Sequence, residues 1–255
     1  MKAVILAGGL GTRLSEETAL KPKPMVEIGM MPVLWHVMKI YSAYGINDFV
    51  ICCGYRGHLI KEFFANYFLR RSDVTFDLSH GKMEVHKKEA EPWKVTLVDT
   101  GAETMTGGRL KRVRDYVGKE AFCFTYGDGL SDVNVGKLIE FHNKAKVTAT
   151  VTASRHQSRF GLLHLEGDQV TKFAEKPLEE ANWMNSGFFV LEPAVFDVID
   201  GDSTVFEKEP IHRLVAKNQL AAFKHEGFFM GMDSMREKNL LEQMWDSGKA
   251  PWRVW

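Results

Sequence analysis

Along the first half of the chain, apolar and polar positions follow two alternating rhythms. Lys2 to Leu6 is a short apolar run that ends in glycines, the pattern of a buried strand. From Pro32 to Tyr44 the apolar residues stand at 33, 34, 37, 38, 40, 41 and 44, which is a helical period. Pro32 suits the first turn of that helix and Gly45 its C-terminal cap. The same reading predicts strands over Asp48 to Cys53, Trp93 to Val98 and Ala121 to Tyr126, with helices over Leu59 to Leu69 and Val135 to Ala145. Strands that alternate with helices imply crossover connections and a sheet covered on both faces.

The second half is less regular. Val147 to Ala153, Arg159 to Leu165, Gln169 to Ala174 and Met184 to Leu191 read as strands, several of them antiparallel. Ser234 to Trp245 reads as a closing helix. No linker composition or internal repeat divides the chain. The predicted fold class is α/β: a Rossmann-like, mixed but mainly parallel sheet flanked by helices, with antiparallel insertions in the second half. Residues 1–255 are read as a single domain, and the strand order is not readable from the pattern.

Composition narrows the classes of function. A chain of 255 residues buries roughly three quarters of its unfolded surface, and 45% hydrophobic residues exclude disorder and fibrous repeats. The 33 basic residues balance 33 acidic ones, which argues against broad binding to nucleic acid or to an anionic membrane. Cys52, Cys53 and Cys123 make an odd set with neither a disulfide framework nor zinc spacing, and alternation sends Cys52 and Cys53 to opposite faces of their strand. The nine histidines form no ligand pattern. No leader and no run of about 20 apolar residues is present, so the expected location is the cytoplasm.

Two loops at strand ends are chemically loaded. The first, Ala7-Gly8-Gly9-Leu10-Gly11-Thr12-Arg13, has the glycines that let main chain approach a phosphate. It fits neither the dinucleotide fingerprint nor the P-loop, because Leu14 and not glycine closes it and no Gly-Lys-Ser/Thr follows. Lys23 stands between Pro22 and Pro24, which fix the backbone on both sides of its ammonium. The second loop, Tyr126-Gly127-Asp128-Gly129, presents a carboxylate between glycines, suited to a hard cation such as Mg²⁺. Asp233 precedes a helix, where a capping role competes with a metal role. Thr106-Gly107-Gly108-Arg109 reads as a flexible turn carrying a guanidinium. Glu175-Lys176-Pro177 and Asn185-Ser186-Gly187 are further turn-like clusters.

Taken together, Leu6 to Leu14 (LAGGLGTRL), Pro22-Lys23-Pro24-Met25, Gly127-Asp128, Phe160-Gly161, Glu175-Lys176-Pro177, Asn185-Ser186-Gly187 and Asp233 resemble the sugar-1-phosphate nucleotidylyltransferases over nearly the whole chain. Within that family, Glu16-Glu17-Thr18, Cys52-Cys53-Gly54-Tyr55, VTLVDTG from Val95, MTGGRLKRV from Met105 and FTYGDG from Phe124 look most like its cytidylyl-transferring members. Met30-Met31 departs from the Gly-Lys-like pair expected after Gly29.

The resemblance implies CTP and glucose 1-phosphate as substrates, CDP-glucose and pyrophosphate as products, and Mg²⁺ as cofactor. It implies that Leu6, Ala7, Gly8, Gly9, Leu10, Gly11, Thr12, Thr104, Arg109 and Gly127 bind the nucleotide. Arg13 would hold the β- and γ-phosphates and Lys23 the α-phosphate, both as catalytic residues. Asp128 and Asp233 would bind the metal, while Glu175, Lys176, Asn185 and Gly187 would meet the sugar phosphate. A dTTP- or UTP-dependent enzyme for the same sugar phosphate, and a silent nucleotide-binding subunit of the same fold, are the competing readings. The family further implies a place in lipopolysaccharide (O antigen) synthesis and a homo-oligomer, with a hexamer as one option. Trp252 and Trp255 at the C-terminus are read as needing a partner surface.

Overall fold

The computed structural model describes residues 1–86, 90–155, 162–166, 169–174 and 183–255, with backbone only for residues 13, 15, 16, 162–166 and 169–174. Seven strands form the central sheet: β1 (Ala3–Ala7), β2 (Asp48–Cys53), β3 (Lys94–Asp99), β4 (Phe122–Tyr126), β5 (Ala149–Arg155), β6 (Trp183–Leu191) and β7 (Leu220–His225). Their order is β7-β5-β6-β4-β1-β2-β3. Only β6 runs against its neighbours in this sheet, so the α/β, mainly parallel prediction describes the observed architecture.

Both faces of the sheet are covered, as parallel strands require. Val4, Val50, Cys52, Phe122 and Phe124 belong to one apolar cluster. Ala3, Ile5, Phe49, Ile51, Cys53 and Cys123 belong to the other, so Cys52 and Cys53 do part to opposite faces. All three cysteines are free and buried. Helix Val33–Ser42 packs one of these faces with eight buried residues, and Val135–Ala145 matches its predicted span. The helix expected over Leu59 to Leu69 is two, Gly57–Ala65 and Tyr67–Arg71, because Asn66 (φ −99, ψ 10) leaves helical geometry between them.

Two expectations need correction, and one element was not foreseen. Thr106 to Arg109 is no flexible turn but the start of helix Thr106–Arg112. Its glycines let the helix lie directly on the main chain of Asp202 and Thr204, with Met105 N–H donating to the Asp202 carbonyl at 2.8 Å and Gly107 N–H to that of Thr204 at 2.9 Å. Trp252 is fully buried within its own chain, stacked on Phe228 and Trp245, and Trp255 meets Trp35 edge-on. These rings therefore give no argument for a partner. The exposed hairpin of Val74–Asp77 and Lys82–Val85, which has no buried face to impose alternation, escaped prediction. Among the described residues, no helix is long and apolar enough to cross a membrane.

The chain runs from β1 outward to β2 and β3, then returns to place β4 on the other side of β1. This reversal puts a switch point between β1 and β4, the position at which open α/β sheets bind ligands beyond their strand ends. Leu6 pairs with Tyr126 in register there. The two chemically loaded loops leave the sheet side by side.

Candidate active site

A cleft of about 530 Å³ opens at that switch point. Its walls include Leu6 and Ala7 at the end of β1, Gly8, Gly9, Leu10, Gly11 and Thr12 from the first loop, Thr104 from the loop after β3 and Arg109 from the helix that follows, and Lys23, Gly127, Asp128 and Asp233. Sequence reasoning named each of these residues, and the fold brings them into one cavity. The Arg13 side chain, together with Phe160, Gly161, Glu175 and Lys176, lies outside the described residues. Asn185 and Gly187 line an adjoining cavity of about 120 Å³ that shares Tyr126, Asp128 and Asp233 with the cleft. Asn185 Oδ1 accepts from Gly187 N–H at 2.7 Å, which holds this turn beside the two aspartates.

The glycine loop is shaped from beneath. Gly11 has φ +67, a conformation open to glycine, and its carbonyl accepts from Leu14 N–H at 3.0 Å and from Thr18 Oγ1 at 3.0 Å. Gly8 lies on the guanidinium of Arg109, so close that a Cβ there would stand 2.3 Å from Nη1. Arg109 donates to Thr100 Oγ1 at 2.8 Å, to the Gly101 carbonyl at 2.6 Å and to the Ala102 carbonyl at 3.0 Å. It is thus a buried strut tying the glycine loop to the loop after β3. No Cβ at Gly9 would meet any atom within 4 Å, so its main chain faces open space.

The charged end of the cleft is built by three separate segments. Lys23 opens a short 3-10 turn, Lys23–Met25, after extended Pro22 (φ −65, ψ 147). Asp128 follows β4, and Gly129–Ser131 pairs with Phe229–Gly231 in a small antiparallel ladder. Met232 N–H donates to the Asp128 carbonyl at 2.9 Å, which brings Asp233 alongside. Ser234, not Asp233, caps helix Met235–Asp246: its hydroxyl accepts from Glu237 N–H, and Glu237 reaches back to Asp233 N–H at 2.8 Å. The Asp233 carboxylate is therefore spared from capping.

Lys23 Nζ donates to Asp128 Oδ2 at 2.5 Å and to Asp233 Oδ1 at 2.7 Å. Burial works against its charge, but the Asp128 carboxylate and hydrogen bonds to both aspartates outweigh it and hold its pKa above the ordinary lysine value. Two carboxylates converging on one cation are a hard-oxygen donor set, and the ammonium stands in for the ion such a pair would hold. Asp128 and Asp233 thus offer donors of the kind that Mg²⁺ would take.

Sequence reasoning missed Glu207. It accepts from Tyr126 Oη and, at 2.7 Å, from Thr106 Oγ1, so it braces one wall of the cleft. Burial and the Glu207 charge hold the Tyr126 phenol well above its usual pKa. No local motif marks Glu207, because its partners lie 81 and 101 residues away.

The model of the nucleotidyl transferase family matches residues 2–247. The chain is 58% identical to the glucose-1-phosphate cytidylyltransferase of Salmonella typhi, covering 100% of both chains. It is also 58% identical, again over 100% of both, to the enzyme of the same name in Salmonella typhimurium. Among solved structures, an apo UDP-glucose pyrophosphorylase superposes with a TM-score of 0.71 at 16% identity, covering 98% of this chain and 99% of that one. That likeness speaks for the fold.

Proposed function

The chain belongs to the nucleotidyl transferase family, and on that premise we propose that it transfers the cytidylyl group of CTP to α-D-glucose 1-phosphate, giving CDP-glucose and pyrophosphate. The observation that carries the choice of nucleotide and sugar is full-length identity of 58% to curated glucose-1-phosphate cytidylyltransferases. The cleft supports the chemistry.

In this reaction a phosphate oxygen of glucose 1-phosphate forms a bond to the α-phosphorus of CTP, and the bond from that phosphorus to the bridging oxygen of the leaving pyrophosphate breaks. The nucleophile is already anionic, so no general base or covalent residue is needed. What the protein supplies is alignment of two crowded phosphates and neutralisation of their charge. The main chain of Gly8, Gly9, Gly11 and Thr12 cradles the nucleotide, with Leu6, Ala7, Leu10 and Gly127 forming the walls around it. Lys23 holds the α-phosphate and Arg13 the β- and γ-phosphates that leave. Thr104 and the Arg109-braced loop bound the base. Asp128 and Asp233 would hold Mg²⁺, which when bound would supply charge stabilisation to the phosphates. Asn185 and Gly187, with Glu175 and Lys176, receive the sugar phosphate.

Residues 1–255 act as one nucleotidyltransferase domain in this reading, with a cytoplasmic location. The chain forms a homo-oligomer in this reading, a hexamer being one option; apolar side chains exposed on helix Tyr67–Arg71 and the neighbouring hairpin, among them Phe68, Phe76 and Leu78, support association without fixing the number of subunits. A product in the CDP-hexose class would serve surface-polysaccharide synthesis. The test is pyrophosphate release from CTP: release that requires both glucose 1-phosphate and Mg²⁺ supports the reading, and release without the sugar phosphate contradicts it.

A further inference from the structure

The contact between Lys23 and the two aspartates goes beyond a list of ligands. We propose that the Lys23 ammonium is the resident counter-cation of the Asp128–Asp233 pair, competing with a divalent ion for it, so that the ion loads together with the nucleotide and not ahead of it. The inference rests on the reading of both aspartates as metal ligands.

The geometry makes one position serve two cations. Lys23 Nζ lies 2.5 Å from one carboxylate and 2.7 Å from the other, within reach of both at once. An ion held by the same two oxygens would meet the ammonium as a like charge at contact distance, where repulsion is strong in a partly buried site. Charge counting points the same way. One ammonium against two carboxylates leaves a net single negative charge, whereas a divalent ion added to the ammonium gives three positive charges against two. The phosphates of a nucleotide reverse that excess, and the α-phosphate offers the ammonium a new partner.

The framework is built for the side chain alone to move. Pro22 and Pro24 pin the backbone on both sides of Lys23, and Val26 N–H closes the turn on the Lys23 carbonyl at 3.0 Å. The four-carbon stem supplies the rotatable bonds through which the ammonium can change partner. The main chain that carries the two carboxylates stays in place when the ammonium leaves, because Asp128 and Met232 are joined by a main-chain hydrogen bond and the ladder of Gly129–Ser131 with Phe229–Gly231 fixes both loops.

Titration of the nucleotide-free full chain with Mn²⁺, followed by the loss of the free-ion electron paramagnetic resonance signal, tests the proposal. Lys23→Met should bind Mn²⁺ at least ~10-fold more tightly than the wild type, since a buried like charge is removed. Lys23→Gln serves the same purpose if the methionine variant does not fold. Adding Asp128→Asn to Lys23→Met should abolish the gain. Equal Mn²⁺ affinity in the wild type and a folded, charge-free variant would overturn the competition. Tight binding that survives in the double variant would instead overturn the assignment of Asp128 as a ligand, and with it the premise.

Discussion

Gly8 lies against the guanidinium of Arg109, with 2.3 Å between the place a Cβ would take and Nη1. The pair joins the glycine loop after β1 to the loop after β3 at one end of the cleft. Gly8→Ala must push the guanidinium off the Gly101 and Ala102 carbonyls, breaking the hydrogen bonds that hold the loop after β3. We expect a rise in the KM for CTP of at least ~10-fold, since a poorly held loop loses alignment. Steady-state kinetics with CTP varied checks this, and an unchanged KM in the folded variant would count against the strut role of Arg109. Arg109→Lys should behave alike, because a single ammonium cannot span the carbonyls the guanidinium joins.

Lys23→Ala and Asp128→Ala should each lower turnover by at least ~10²-fold while far-ultraviolet circular dichroism stays native. Near-full activity of either folded variant removes that residue from the machinery.

His36 sits in a cage of Trp35, Trp245, Trp252 and Trp255. Its Nε2–H donates to the Ile28 carbonyl at 2.8 Å, and burial lowers its pKa to about 4 from the ordinary histidine value of 6.5. The unfolded chain takes up the proton near the ordinary value and the folded chain only near the lowered one. Between these the unfolded state binds more protons, so stability falls as pH falls from 6.5 toward 4, by at most roughly 1.4 kcal/mol per pH unit from this group. Urea unfolding at pH 7, 6 and 5 measures the slope. A slope of the same size in His36→Phe would show that other groups cause it.

Trp252→Ala leaves a void beneath Phe228 and Trp245 and should cost about 3–5 kcal/mol, the range for truncating a buried aromatic. Thermal unfolding reads the loss. A shift of less than a degree or two would mean that the C-terminal rings contribute little to the fold.

How much of this was legible beforehand follows from burial. Asp48–Cys53 shows as an unbroken apolar run because both of its faces are buried, and Val135–Ala145 as a helical period because it packs one apolar face; the ends of both match the structure. The hairpin at Val74–Asp77 and Lys82–Val85 is mostly exposed and leaves no such trace. Helix Thr106–Arg112 was hidden by glycines that serve close packing, where local reading takes them for a turn. In the site, the loops around Gly8 and Asp128 were visible as motifs at strand ends. The meeting of Lys23 with Asp233 was not, since 210 residues separate them and long-range pairing, the ladder of Gly129–Ser131 with Phe229–Gly231 among it, closes that distance. Glu207 was invisible for the same reason.

The central claim is met most directly by a competition in which CTP, UTP, dTTP and ATP at equal concentration share one reaction with glucose 1-phosphate and Mg²⁺, with products resolved by chromatography. The account predicts CDP-glucose as the dominant product, lost when the metal is chelated. A dominant UDP- or dTDP-glucose peak would contradict the cytidylyl assignment, and product formation undiminished by chelation would contradict the role given to Asp128 and Asp233.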